Sequence, residues 1–227
     1  MIDSDSQLPT GETEFLGRQT GLSDRERLRL SRFRHPGRRD EFVAARRLAK
    51  SLLRRAGIIG GQTPDQTISI LPAAGSSRPR LWVGHHQRGA EVSLSHLGGP
   101  SGQAPGGWVA AAVSTGPRVG IDLAWRDETA SERLRPWFSI AERQLADAES
   151  LLLTDLWAMK EAAFKATSGT EPFRPDDFPV TADYGWAAGP CRVLLQPLDG
   201  LSLAIASPEA GLLRDRSRLW VDRRRIV

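Results

Sequence analysis

Three short segments carry side chains whose types and spacing could do chemistry. In Val119-Gly120-Ile121-Asp122-Leu123 a carboxylate interrupts an apolar, strand-like run. An unpaired carboxylate is costly to bury, so Asp122 either faces water at a strand end, where it can cap a turn, or something compensates it. In Leu156-Trp157-Ala158-Met159-Lys160-Glu161-Ala162-Ala163-Phe164-Lys165, Glu161 and Lys165 share one helical face. As a surface ion pair they would contribute only about 0.3–0.5 kcal/mol. Lysine usage argues for more, because Lys50, Lys160 and Lys165 are the only lysines in an arginine-rich chain and two of them lie in this run. An ammonium is a compact point charge suited to a phosphate oxygen, whereas a guanidinium is a planar fork. The third segment, Trp137-Phe138-Ser139-Ile140-Ala141-Glu142, sets Ser139 and Glu142 at capping-box spacing. A helix start accounts for both, so Glu142 needs independent support as a catalytic group.

Composition bounds what can surround these groups. A chain of 227 residues with 40% hydrophobic content fills one ordinary domain or two small ones. No apolar run approaches the roughly 18 residues of a membrane span, and the polar start MIDSDSQLPTGETEF lacks the apolar core of a signal peptide, so a cytoplasmic protein is expected. Cys191 is the only cysteine, which excludes an internal disulfide and a cysteine-based zinc cluster. The histidines His35, His85, His86 and His96 show no metal-ligand spacing. A net charge of +4 and a pI near 9.9 suit an anionic small molecule, an acidic protein or a nucleic acid. A general arginine bias explains most of that charge. No nucleic-acid signature accompanies it, and aromatics are not interleaved with the arginines as base stacking requires.

The elements that must position the three segments can be traced along the chain. Residues 1–21 are polar, contain Pro and Gly and show no periodicity, which predicts a flexible extension. Ser23 and Glu26 predict a capped basic helix, and Asp40 precedes a helical run in which Phe42, Ala45, Ala49, Leu52 and Leu53 recur before a stop at Gly57. Strands are expected at 67–71, 81–84, 91–95, 108–114 and 119–125, then helices at 139–148 and 151–167, the second ending at Ser168-Gly169. Further strands are expected at 191–195, 201–206 and near 219–221. This is an α+β pattern without the alternation of a doubly wound sheet, and no sequence repeat between the halves is legible.

In this order, Gly120-Ile121-Asp122, the F-S-x-x-E of Phe138 to Glu142 and the W-x-M-K-E-A-x-x-K of Trp157 to Lys165 resemble the 4′-phosphopantetheinyl transferase superfamily, and more closely its surfactin-type branch. The resemblance extends backwards through the basic segment and helix LSDRERLRLSRF followed by RRDEFVAARRLAK, taken as one element, the turn Ser77-Arg78-Pro79 and the strand Val92-Ser93-Leu94-Ser95-His96. One such motif is weak; six in order at compatible spacing are specific.

The resemblance implies a pseudo-twofold pair of similar α+β subdomains, residues 22–116 on the nucleotide side and 117–227 on the metal and catalytic side, with coenzyme A between them. Asp122 and Glu161 would hold Mg²⁺, and Lys165 would meet the same phosphate oxygens. Glu142 would accept the proton or orient a water that does. Ser95 and His96 would contact a phosphate, while Arg46 and Arg78 would hold the 3′-phosphate or adenine end. The implied reaction moves the 4′-phosphopantetheine arm of coenzyme A onto a serine of an apo acyl or peptidyl carrier protein of fatty acid, polyketide or peptide synthesis, releasing adenosine 3′,5′-bisphosphate. A monomer would suffice. Ala124 departs from the surfactin-type pattern, where an acidic residue is usual, and so opens an alternative: a weakened homologue that binds coenzyme A or carrier proteins without transfer.

Overall fold

Ser23 caps helix α1 (Asp24–Leu30): its hydroxyl accepts from the Glu26 amide while the Glu26 carboxylate accepts from the Ser23 amide, as their spacing predicts. Helix α2 (Pro36–Arg55) begins before the expected Asp40 start, because Pro36 fills a first-turn position whose φ its ring already fixes. It ends in a Schellman closure, with Gly57 at φ +67° donating to Arg54 O and the Ile58 amide to Leu53 O. Strands β1 (Ile68–Pro72), β2 (Pro79–Val83), β3 (His86–Leu97) and β4 (Gly107–Ser114) follow, then β5 (Gly120–Trp125). Helix α3 (Glu128–Leu134), capped by Asp127, lies where no element was expected. Helix α4 (Ile140–Ala148) starts at a second capping box, that of Ser139 and Glu142, and α5 (Leu153–Thr167) follows it. The chain then adds β6 (Val180–Thr181), β7 (Ala187–Ala188), β8 (Cys191–Leu198), β9 (Leu201–Ser207) and β10 (Leu219–Ile226).

This computed structural model describes residues 21–76, 78–98, 107–167, 172–182, 185–198, 200–209, 211, 213 and 218–226. The expectations for residues 1–20, for Ser77 and for the helix stop at Ser168-Gly169 lie outside them. The described residues form an α+β fold of two antiparallel sheets ordered β1-β2-β3-β4-β10 and β5-β9-β8-β7-β6. Written from the outer edge, the second sheet reads β6-β7-β8-β9-β5, the same plan as the first. Each has a long helix, four successive strands and a fifth strand that belongs in sequence beside the other sheet. The halves therefore trade a strand: β5 leaves β4 to pair with β9, and β10 leaves β9 to pair with β4. No helix among the described residues is long and apolar enough to cross a membrane.

Alternation along the strands explains the layering. In β4, Val109, Ala111 and Val113 pack against α2, while Ala110 and Ala112 face the other sheet. Across that junction Ile121 and Leu123 of β5 and Leu203 and Ile205 of β9 complete a sheet-on-sheet core. The opposite faces of β5 and β9, including Ala124, Ala204 and Ala206, meet α5. Small residues let that helix come close. A Cβ at Gly120 would lie 1.8 Å from Ala162 O and 2.7 Å from the Ala166 amide nitrogen, inside the volume of helix backbone.

Although no repeat is legible in sequence, the structure contains one. In each half a capping-box glutamate reaches a buried lysine of the long helix and an amide of the next sheet's first strand, through Glu26, Lys50 and Ile70 in one and Glu142, Lys160 and Val180 in the other. The signal was hidden because it is carried by a few widely spaced residues.

Gly120→Ala is expected to destabilise the fold by about 3 kcal/mol or to prevent folding, since α5 must lift from β5. Urea unfolding followed by far-UV circular dichroism measures the loss.

Candidate functional site

Two serines of β3 join the sheets and set the position of Asp122. As the edge strand of its sheet, β5 presents outward amides that need acceptors. Ser93 Oγ accepts from Ile121 N at 3.0 Å and Ser95 Oγ from Leu123 N at 3.1 Å, so side chains replace a backbone ladder. The Ser95 hydroxyl then donates to Asp122 Oδ1 at 2.8 Å. Asp122 is 5% exposed and points away from the sheet junction toward α5.

Lys165 supplies the compensation that a buried carboxylate requires. Its Nζ lies 2.5 Å from Asp122 Oδ1 and 3.6 Å from Glu161 Oε2, and it also donates to Ile121 O at 3.3 Å. One ammonium thus bridges two carboxylates, one from a strand and one from a helix. Trp157, one turn before Glu161, donates its indole N–H to Glu161 Oε1 at 2.9 Å and fixes the second carboxylate from behind. Burial raises the Asp122 pKa, with Lys165 pulling it back and Glu161 raising it further. For Lys165 burial works against the charge, yet the two carboxylates outweigh it and hold the pKa above its ordinary value.

A basic wall borders this group. His96 Nε2 accepts from the Arg38 guanidinium, and Glu41 Oε2 lies 3.4 Å from the same nitrogen. Burial, then the charges of Arg38, Lys165 and Arg46, lowers the His96 pKa to about 4. Arg46 stacks its guanidinium 3.7 Å from the Phe42 ring centre, its Nε is buried without a hydrogen-bond partner, and burial brings its pKa down to about 10. Arg78 is committed elsewhere: it pairs with Glu91 at 2.6 Å and reaches Ala166 O at the end of α5.

Of the residues singled out by sequence, Asp122, Glu161, Lys165 and Ser95 converge, His96 stands within electrostatic reach of Lys165, and Arg46 within reach of His96. Glu142 keeps different company. Its carboxylate accepts from Ser139 N at 2.9 Å, from Val180 N at 3.0 Å and from Lys160 at 2.7 Å. Burial opposes its charge, but these donors outweigh it and hold its pKa below the usual value. Cys191 is buried and its thiol is pushed up to about 12, which makes it inert. Trp157 and Ser93 were not singled out, although the four-residue spacing of Trp157 and Glu161 was a legible clue. A separate cavity of about 190 Å³, lined by Arg25, Leu28, Arg29, Arg32, Leu71 and Pro72, lies against α1 and not at this cluster.

Among the described residues no three Asp, Glu, His or Cys side chains gather as a metal cage. The pair Asp122 and Glu161 nevertheless suits Mg²⁺, a hard ion that takes one or two carboxylates and completes its shell with phosphate oxygens and water. Ala124, the neighbour of Asp122 on the same face of β5, is packed into the apolar cluster beneath α5, so the donor set stays at two carboxylates.

Residues 118–195 match the family model of the 4′-phosphopantetheinyl transferase superfamily. The match covers β5, the three helices that follow and the second sheet as far as β8, and it distinguishes no branch of the superfamily. No curated protein matches the chain.

His96 is expected to titrate near pH 4, well below the ordinary 6.5, in an NMR titration of its ring. Since the unfolded chain takes up this proton first, the neutral ring's contribution to stability is complete above 6.5 and is lost as the pH falls toward 4. His96→Gln flattens that part of the stability profile.

Proposed function

With residues 118–195 carrying the 4′-phosphopantetheinyl transferase superfamily domain, we propose that the protein transfers 4′-phosphopantetheine from coenzyme A to a serine of an apo acyl or peptidyl carrier protein, with Mg²⁺ bound at Asp122 and Glu161. The observation that carries this reading is the shared ammonium. Two carboxylates from separate elements are drawn together by Lys165 beside the neutral His96 ring and the guanidinium of Arg38 that it accepts from.

Each residue has a role in this reading. Asp122 and Glu161 would hold Mg²⁺, which would supply divalent charge for a diphosphate. Lys165, released from part of its ion pairing, turns its ammonium to a phosphate oxygen, and Ser95 keeps Asp122 oriented through its hydroxyl. Arg46, with an unsatisfied Nε, would meet the remaining phosphate charge on the nucleotide side, residues 22–116, and the neutral His96 ring would offer a hydrogen bond there. The serine oxygen forms a bond to the phosphorus bearing the pantetheine arm, the bond to adenosine 3′,5′-bisphosphate breaks, and the hydroxyl proton passes to a basic oxygen. One chain supplies both carboxylates and the ammonium between them, which supports a monomeric enzyme.

A second reading, binding of coenzyme A or carrier proteins without transfer, is favoured by one observation: Ala124 leaves the site without a third carboxylate. Incubation with coenzyme A, Mg²⁺ and a panel of apo carriers, followed by mass spectrometry of the carriers, separates the two. The transferase reading expects the added arm in the presence of Mg²⁺ and its loss with a chelator. Asp122→Ala and Glu161→Ala should each reduce transfer by a factor of about 10² or more with the circular dichroism spectrum retained. Undiminished turnover in either variant places the chemistry elsewhere, and coenzyme A binding with no product on any carrier selects the second reading.

A further inference from the structure

We infer that Glu142 and Lys160 are positioning residues: a buried clamp that sets the pose of α5, and through it of Glu161 and Lys165, without itself moving a proton. The two halves of the chain carry matching arrangements. Glu142 stands three residues after its cap Ser139, accepts from Ser139 N, Val180 N and Lys160, and Lys160 donates to Pro175 O, 15 residues further on, at 2.9 Å. Glu26 stands three residues after its cap Ser23, accepts from Ser23 N, Ile70 N and Lys50, and Lys50 donates to Asp65 O, also 15 residues further on, at 3.0 Å. The lysines are 1% exposed in both places, and both ion pairs are short, 2.7 Å and 2.6 Å.

The two clamps lie on corresponding elements, but only one half carries the candidate site. At the positions of α2 that match Glu161 and Lys165, one and five residues after the clamp lysine, stand Ser51 and Arg55. The correspondence reaches the traded strands as well. Asp222 of β10 pairs with Arg55 as Asp122 of β5 pairs with Lys165, yet that arginine is 54% exposed and among the described residues pairs with no second carboxylate. What recurs where the paired carboxylates are missing is explained by folding, and what occurs once is explained by chemistry. By that criterion Glu142 belongs with Glu26. Its bonding agrees, because each carboxylate oxygen already accepts from a backbone amide as well as from Lys160 or Ser139. Lys160 immediately precedes Glu161 on one helix, so an ammonium fixed at Pro175 and Glu142 fixes the rotation of α5 and the direction in which Glu161 points.

The kinetic part of this inference rests on the transferase reading; the geometric part does not. Four variants are compared, Lys160→Met, Glu142→Gln, their double and the matched control Lys50→Met, by thermal unfolding, by the indole N–H NMR signal of Trp157 and by transfer kinetics at saturating coenzyme A. Lys160→Met and Lys50→Met are expected to lower Tm comparably. Of the two lysine variants only Lys160→Met shifts the Trp157 signal, which reports the bond to Glu161, and only it lowers kcat, by about tenfold or more. Glu142→Gln, which strands the Lys160 charge, lowers kcat further still. The double variant recovers at least about fivefold over Glu142→Gln, because removing both charges leaves neither buried and unpaired. An unmoved Trp157 signal in Lys160→Met, or an equal kcat loss in Lys50→Met, overturns the positioning role. A Glu142→Gln protein with wild-type Tm and no activity, unrescued in the double, returns Glu142 to the chemistry. If no carrier is modified by the wild-type protein, the transferase reading fails, and Tm with the Trp157 signal still decides the clamp.

Discussion

A single ammonium between two carboxylates is the interaction around which this molecule is arranged. Asp122 could not sit buried on β5 without a nearby cation, and Glu161 could not approach it without that cation to offset their repulsion. Lys165 meets both needs only if α5 lies hard against β5, which is why Gly120 has backbone where a side chain would sit. It also requires β5 to hold still at a sheet edge. The hydroxyls of Ser93 and Ser95 do this by taking the outward amides of Ile121 and Leu123, so the junction of the sheets and the orientation of the acid are one feature.

The use of lysine follows the same logic. Each of the three lysines is committed to carboxylates: Lys50 to Glu26, Lys160 to Glu142, Lys165 to Asp122 and Glu161. An ammonium has three donors to satisfy and a guanidinium five, so a small buried polar pocket is easier to complete around lysine. Some arginines instead stack on rings, Arg25 on Trp82 and Arg46 on Phe42, while the buried Arg78 pairs with Glu91 and reaches a helix carbonyl.

Local signals in the sequence gave much of this architecture. Both capping boxes, the Gly57 stop and the α+β succession of elements are governed by neighbours in sequence, and they stand where expected apart from end shifts such as the early start at Pro36. The motif order pointed to Asp122, Glu161 and Lys165, which converge. What was not legible depends on contacts between distant segments. Ser95 was expected on a phosphate, yet its hydroxyl is set by the β3 to β5 junction, a pairing no local pattern encodes. The concentration of lysines near Glu161 merged two environments, since Lys160 turns to Glu142 and Pro175 whereas Lys165 reaches Asp122 and Glu161. Helix α3 escaped notice because it is short, with one buried residue, Ser131.

The traded strands have a consequence for how the molecule is made. The first sheet receives its last strand, β10, from residues 219–226, after the second sheet has been assembled from everything between. A nascent chain emerging from the ribosome therefore holds β4 with one edge unpaired until β10 has been synthesised, and such an edge invites wrong partners. The first sheet cannot be completed without residues 219–226, so the long-range pairing of β10 with β4 is expected to slow folding and to make it a property of the whole chain.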